Sequence, residues 1–461
     1  MSEAESGPST APALVRGLSA WDGGLVTIGS ILGSGIFLTT GSIARLVPHE
    51  GLILLLWAAG GLVTLAGALT YAELGATYPR AGGQYEFLKL AYGPLWGFLF
   101  GWAAFIVMMT GGIATMAVGF GEYLGVFVPF FSTRHVLWSV PLGPVHWSVN
   151  GGQVAGAGAI LFLTAINYVG LKQGALVQNL VTIAKISSLV GLGALGLTAA
   201  SDVRPEFLRP LPEAGLLSAI GVAMVAVFWS YDGFYAVTNL CGEMRKPERD
   251  LPRAIVLGTL AVTVLYVLMN IVYIRALPLA AIAETDRIGE AAASALFGPL
   301  GGRLISVAVL VSIFGCISST ILYAARIYLP MAQDGLFFSR LAEIHPKYQT
   351  PGACLVAQGL WSVALTFSGS YEQLYTFVVF AIVLFHALSG AALFVLRRRE
   401  PLRPRPYRAW GYPVVPGVFI AASVALFLNT LVEKPWESGI GLGLILLGLP
   451  AYARWRRLRA R

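Results

Sequence analysis

Charge is what this chain has least of. Only 12% of its 461 residues are Asp, Glu, Lys or Arg, while 56% are hydrophobic. A soluble domain is nearer to about a quarter charged, so a water-soluble globular protein is excluded. Cysteine is scarce too: Cys241, Cys316 and Cys354 all lie in or beside apolar runs, outside the connections expected to be external. That placing argues against a disulfide framework and a thiolate metal site. The five histidines, at 49, 135, 146, 345 and 386, show no metal-ligand spacing. No Gly-Lys-Ser/Thr follows Gly82-Gly83, which reads as a turn rather than a phosphate loop. No enzymatic constellation and no cofactor are implied. Residues 1–16 lack the basic and apolar regions of a cleaved signal peptide, so the expectation there is a polar cytoplasmic tail.

What the chain does have is apolar runs of about 20 residues, each long enough to cross a bilayer. They fall near 22–46, 51–77, 94–129, 152–170, 173–199, 214–242, 251–276, 292–332, 351–369, 371–396, 411–431 and 438–456. The reading is an all-α polytopic membrane protein with about twelve transmembrane helices. The run from 292 is long enough to be tilted or partly interfacial. Asp334 to Pro346 is expected to form a short amphipathic helix on the membrane surface. The net charge of +8 is explained by position rather than by nucleic acid. Basic residues crowd alternate connections: Arg80 and Lys89, Lys172, Arg245 to Arg253, Arg340 and Lys347, Arg397 to Arg408, and Arg454 to Arg459. The other connections are mixed or acidic, with Asp202, Glu206 and Glu213, then Glu284, Asp286 and Glu290. This positive-inside pattern puts both termini in the cytoplasm of a cell-membrane protein.

Two spans are interrupted. Gly33-Ser34-Gly35 divides the first apolar run, and Ser230-Tyr231-Asp232-Gly233 divides the sixth. Lipid offers the backbone no hydrogen-bond partner, so an unwound stretch at that depth must face protein or a cavity. Freed N–H groups can hold an anion and freed carbonyls a cation; a free amino acid carries one of each. The competing reading of the first glycines is close helix packing. Breaks five spans apart point to an inverted repeat, because an odd number of crossings starts the second copy from the opposite side. The organisation expected is a tail at 1–16, a first repeat over 17–200, a second over 213–398, and two further spans with a basic end over 409–461.

Lys185 lies deep in the fifth run, where a charge costs about 2.5–3.5 kcal/mol on insertion scales. Either its ammonium bonds carbonyls freed by the broken first helix, or it snorkels to the surface. Asp232 either attracts a substrate cation or caps the second half of the sixth helix. Trp229, just before that break, either covers a substrate or packs. Glu243 to Arg253 is a dense charged turn, read as a solvated loop or as an ion-pair cluster at an inner gate in which Arg326 takes part.

Taken in order, these motifs resemble the amino acid–polyamine–organocation superfamily, and its L-type amino acid transporter branch in a prokaryotic form. The resemblance runs from about Gly17 to Arg399. It rests on Ile31 to Phe37, Tyr71-Ala72-Glu73-Leu74 with Pro79 to Gly83, Ala184-Lys185, Ser230 to Phe234, Glu243 to Pro252, Ala325-Arg326, Asp334-Gly335 and His345-Pro346. It implies a 5+5 inverted-repeat, LeuT-like fold with discontinuous helices 1 and 6, and sodium-independent amino acid transport. It also implies roles. Backbone N–H groups at Gly33, Ser34 and Gly35, with the Ser34 hydroxyl, would hold the substrate carboxylate. Carbonyls of Ile31, Trp229 and Ser230 would meet its ammonium. Trp229 would be the aromatic gate, Lys185 the stand-in for a sodium ion, and Asp232 the acidic variant of the sixth-helix break. Two departures stand out. No cysteine lies between Pro129 and Asn150, so no disulfide-linked heavy chain is expected. Tyr235 stands where many animal relatives have a small amide, which implies a preference for small substrates.

The function expected is alternating-access exchange of neutral L-amino acids, the partners being the substrate and the bilayer. Proton-coupled symport is an alternative because a buried lysine is a candidate proton carrier, and an exchanger that also accepts cationic amino acids is another. From other classes come a membrane amino acid sensor, which would usually carry a long signalling tail, and a channel, which needs a continuous polar pore.

Overall fold

Backbone groups inside a bilayer must bond to one another, and helices do this within a single segment. The computed structural model describes residues 17–142, 145–169, 171–207, 210–211 and 215–459. The tail expected over 1–16, Glu213 and the side chain of Lys172 lie outside the described residues. Ser19 opens the first helix with a capping box: its hydroxyl accepts from the Asp22 N–H, while the Asp22 carboxylate accepts from the Ser19 N–H at 2.9 Å. Helix α1 (Ala20–Ile31) then stops, and α2 (Gly35–Leu46) resumes after three residues.

The chain continues through α3 (Glu50–Thr77), a short α4 (Gln84–Tyr92), α5 (Pro94–Ala103) and α6 (Met109–Leu124), the last two joined by a π-helical turn at Ala104–Met108. Strands β1 (Val136–Leu142) and β2 (Val145–Asn150) form an antiparallel hairpin. After it come α7 (Gly151–Val169), α8 (Leu171–Thr198) and α9 (Leu216–Tyr231), then a short α10 (Ala236–Asn239). Beyond them are α11 (Pro247–Ala276), α12 (Leu279–Glu284), α13 (Ile288–Gln333), α14 (Gly352–Thr366) and α15 (Tyr371–Arg399). The chain ends in α16 (Val414–Glu433), α17 (Pro435–Leu446) and α18 (Gly448–Arg459).

Among the described residues, ten helices are long and apolar enough to cross a membrane, and α9 and α14 are shorter apolar helices. The broken α1–α2 packs against α11, α8 and α13, and α3 packs along α11. Outward-facing positions such as Leu55, Leu62, Leu257 and Leu304 are exposed and apolar, as lipid contact requires.

The sixth span, expected over 214–242 with a break at Ser230 to Phe234, is helical to Tyr231 and continues past the break as α10 and a 3-10 turn at Cys241–Glu243. One expectation needs correction. The amphipathic helix expected over Asp334 to Pro346 is a 3-10 turn at Ser339–Ala342. Leu336, Phe337 and Leu341 are buried there rather than laid on a surface, and the Asp334 carboxylate is held by Tyr85 at 2.6 Å and Lys89 at 2.7 Å. The run expected from 292, long enough to be tilted or partly interfacial, lies in a helical segment that starts at Ile288 and is divided in two at Gly298, where φ is 74° and ψ is −177°. The connection from Pro129 to Asn150 carries the hairpin, where alternating residues of Val136–Leu142 and Val145–Asn150 suit paired strands.

Candidate functional site

A helix ends with carbonyls that have no partner in the next turn. In an unbroken helix the oxygens of Gly29, Ser30, Ile31 and Leu32 would accept from the N–H groups four residues on. The break removes those donors, and the Gly33 N–H turns to the Ile31 oxygen at 2.7 Å. Side chains from three other helices take their place. Lys185 Nζ, on α8, donates to Gly29 O at 3.1 Å and Leu32 O at 3.0 Å. On α13, Ser312 Oγ donates to Leu32 O at 3.1 Å and Cys316 Sγ to Ser30 O at 3.2 Å. On α11, Tyr266 donates to Ile31 O at 2.8 Å and lies 3.1 Å from Ser230 O of the other broken helix. Lys185 is 1% exposed and points inward rather than snorkelling.

The two breaks touch. A Cβ on Gly35 would come within 2.4 Å of Ser230 Oγ, and one on Gly233 within 2.8 Å of Ser30 O. Gly233 also has a φ of +96°, a region that glycine reaches without strain. Between them lies a cavity of about 30 Å³, room for a water or two. Ile31, Gly33, Ser34, Gly35, Trp229, Ser230 and Asp232 all line it, so the candidate binding residues are brought together. Met108, Met109, Gly112 and Met116 form the facing wall, next to the π-helical turn. Methionine is flexible and polarizable, so this wall adapts to side chains of different shape.

The arrangement has separate places for each charge of a zwitterion. Gly35 starts α2, whose first N–H groups and positive dipole end face the cavity. Tyr266 has a single proton for two carbonyls; with Ile31 O taking it beside the Gly33 N–H, acceptor capacity for an ammonium is left at Ser230 O.

Above the cavity, the Trp229 indole donates to Tyr371 Oη at 2.9 Å, and the same oxygen lies 2.8 Å from Ser34 Oγ. Trp229 also stacks on Tyr375, ring centroids 6.1 Å apart. Tyr371 and Tyr375 form the floor of a vestibule of about 760 Å³ that reaches the hairpin and carries Arg45, Glu122 and Asp286 on its walls.

Three of the candidate residues do not line the cavity. Lys185 is on the far side of the break. Tyr235 is fully buried behind Asp232, its hydroxyl 3.5 Å from Oδ2, so its bulk does not narrow the cavity and that basis for a small-substrate preference is removed. Arg326 is at the opposite end from the vestibule, where Nε donates to Glu243 Oε1 at 2.7 Å with both side chains 1% exposed. Of the charged turn from Glu243 to Arg253, Glu243 is the residue that enters this pair. Backbone bonds from Gly17 and Leu18 to Glu243 O strap the segment just before α1 beside it. Lys89 bridges Glu86 and Asp334 nearby; burial lowers its pKa, but the two carboxylates more than offset that and hold it above the ordinary value. Asp232 ends α9 rather than starting α10, whose N-cap is Tyr235, so the capping alternative is not what its side chain does.

Sequence reasoning missed Tyr266, Ser312, Tyr371 and His386. A tyrosine or serine in an apolar run gives no signal of its own. His386 did give one, because an ionisable residue inside a span is a functional marker in its own right.

Broken helices that meet at a buried polar cavity, within a bundle of apolar spans, define a multi-pass membrane carrier for a small polar solute. The comparisons make the class specific: the family model for amino acid permeases matches residues 18–445, and the chain belongs to that family, within the amino acid–polyamine–organocation superfamily. It is 32% identical to the serine/threonine exchanger SteT of Bacillus subtilis (strain 168), over 94% of this chain and 95% of that protein. It is 30% identical to the human b(0,+)-type amino acid transporter 1, over 95% of this chain and 86% of that protein. It is 28% identical to the mouse large neutral amino acids transporter small subunit 2, over 93% of this chain and 78% of that protein. The chain is an amino acid transporter, not an enzyme.

Proposed function

We propose that this protein is a sodium-independent exchanger of neutral L-amino acids that works by alternating access in the cell membrane, with both termini cytoplasmic. The observation that carries the reading is the Lys185 ammonium on the freed oxygens of Gly29 and Leu32. Those are oxygens that a coupling cation would otherwise neutralise, and a covalently attached charge does not dissociate. The relative named as a serine/threonine exchanger, matched over nearly its full length, supports exchange over one-way uptake.

In this reading the ten long helices and the two shorter ones make twelve crossings. Residues 17–200 and 213–398 are two inverted repeats of five crossings, and 409–461 adds two more. The carboxylate of the substrate sits at the Gly33–Gly35 break on the N–H groups of Ser34 and Gly35, with the Ser34 hydroxyl, the Gly33 N–H being held by Ile31 O. The ammonium sits at the carbonyls of Ile31, Trp229 and Ser230. Trp229 closes the vestibule side, and Glu243 with Arg326 closes the cytoplasmic side. No disulfide-linked heavy chain is needed.

The test is uptake of labelled L-alanine by sodium-free proteoliposomes at equal pH on both sides, either empty or loaded with unlabelled alanine. Uptake confined to loaded vesicles is expected. Equal uptake by both would overturn the exchange reading.

A further inference from the structure

Asp232 has a second neighbour that the transport reading leaves unused. Asp232 lines the central cavity on one side and a void of about 10 Å³ on the other. His386, from α15, lines that rear void and is 3% exposed. Its Nε2 lies 3.7 Å from Asp232 Oδ1, an oxygen with no hydrogen-bond partner. Phe234 and Phe419 pack around the imidazole and keep the pair dry.

The other ring nitrogen is held in place. His386 Nδ1 is 2.9 Å from Tyr71 Oη, on α3. Gln84 donates to the same hydroxyl at 2.6 Å, and to Ser389 at 3.2 Å. With its oxygen already accepting from Gln84, Tyr71 has its own proton to give to Nδ1. A neutral His386 then carries its proton on Nε2, facing Asp232, and a protonated one presents a full positive charge there. The titratable groups facing the pair are Tyr71 from α3, Tyr235 from the break, and Cys316 and Tyr323 from α13.

We propose that His386 is a specificity-determining residue whose charge decides whether the central cavity accepts an amino acid with a cationic side chain. This rests on reading that cavity as the substrate site. With a neutral imidazole, the Asp232 charge is unbalanced and attracts a lysine- or ornithine-like side chain from the cavity side. With a protonated imidazole, Asp232 has an internal counter-ion, and a second cation gains little by approaching it. Neutral amino acids bring no side-chain charge, so the same change affects them far less. His386 acts here through Asp232 and does not touch the substrate.

The test uses the full chain in proteoliposomes loaded with unlabelled L-alanine, with equal pH inside and out. Labelled L-lysine and labelled L-alanine are supplied in separate arms. The lysine-to-alanine uptake ratio is expected to fall about tenfold between about pH 8 and about pH 5.5. His386→Gln is expected to flatten that dependence, with His386→Asn as the second variant should the longer amide not fit. A wild-type ratio that does not change with pH would overturn the proposal. So would alanine uptake without lysine uptake at the higher pH. A ratio that still falls in the His386 variants would also overturn it. Equal alanine uptake by empty and loaded vesicles defeats the exchange reading alone, since the lysine-to-alanine ratio can still be read.

Discussion

Lys185→Ala isolates the contact on which the transport reading rests. The ammonium makes two charge-assisted hydrogen bonds, to Gly29 O and Leu32 O. Each contributes about 1.5–3 kcal/mol, so the two together are worth about 3–6 kcal/mol. Holding a charge at this depth costs about 2.5–3.5 kcal/mol, which the alanine variant no longer bears. The difference centres on about 1.5 kcal/mol, or roughly a factor of ten in an equilibrium or a rate. It weakens the state in which the break in the first helix is docked against α8, while Ser312, Cys316 and Tyr266 still hold the neighbouring carbonyls. The expected result is a folded, monodisperse protein whose alanine exchange is slowed about tenfold. Exchange in loaded proteoliposomes gives the rate, and thermal unfolding in detergent gives the fold. Wild-type exchange in a folded Lys185→Ala protein would refute the reasoning, because the carbonyls would then need no fixed cation.

Ser34→Leu is expected to abolish alanine-induced thermal stabilisation, since the added volume fills a cavity of about 30 Å³ and removes the hydroxyl facing Tyr371; a retained thermal shift would count against the site. Gly35→Ala places a methyl 2.4 Å from Ser230 Oγ and 2.6 Å from Ser230 Cα, and overpacking of that kind costs about 1–3 kcal/mol, visible as a lowered unfolding temperature. Glu243→Gln leaves Arg326 as an uncompensated buried charge at a cost of about 3–5 kcal/mol. An unfolding temperature equal to wild type would show that the pair is solvated.

Much of the fold was legible because the membrane simplifies the problem. Apolar runs set the spans, and the two breaks stood out as polar residues inside such runs. Lys185 and Asp232 were legible for the same reason. Most of what was missed involves residues that become special only through their neighbours. Tyr266 is an ordinary tyrosine in α11 until folding places its hydroxyl between Ile31 O and Ser230 O. Tyr371 starts α15, far along the chain from Ser34 and Trp229, whose polar atoms it joins. Tyr235 was misplaced because its position in the family pattern says nothing about which side of a non-helical turn its ring takes. The amphipathic segment after Asp334 failed for a related reason: scattered apolar residues suit a surface helix and a buried turn equally well, and burial of Leu336 and Phe337 decided between them.

In the proposed alternating-access reading the two ends of the pathway are closed by different chemistry, and the difference bears on how a carrier can alternate. On the vestibule side the seal is Tyr371 with Ser34 and Trp229, neutral hydrogen bonds contributing about 0.5–1.5 kcal/mol each. On the other side it is a dry ion pair, whose loss of one partner costs about 3–5 kcal/mol. Separating that pair while it stays dry is therefore the harder step. Once water enters, both charges are solvated, and an exposed pair is worth only about 0–1 kcal/mol. The strength of the inner closure thus depends on its own dryness: the first water that reaches Glu243 and Arg326 lowers the cost of admitting the next. Such a closure is either shut or open, with little stability in between, and a bistable element of this kind is what keeps a carrier from opening at both ends at once.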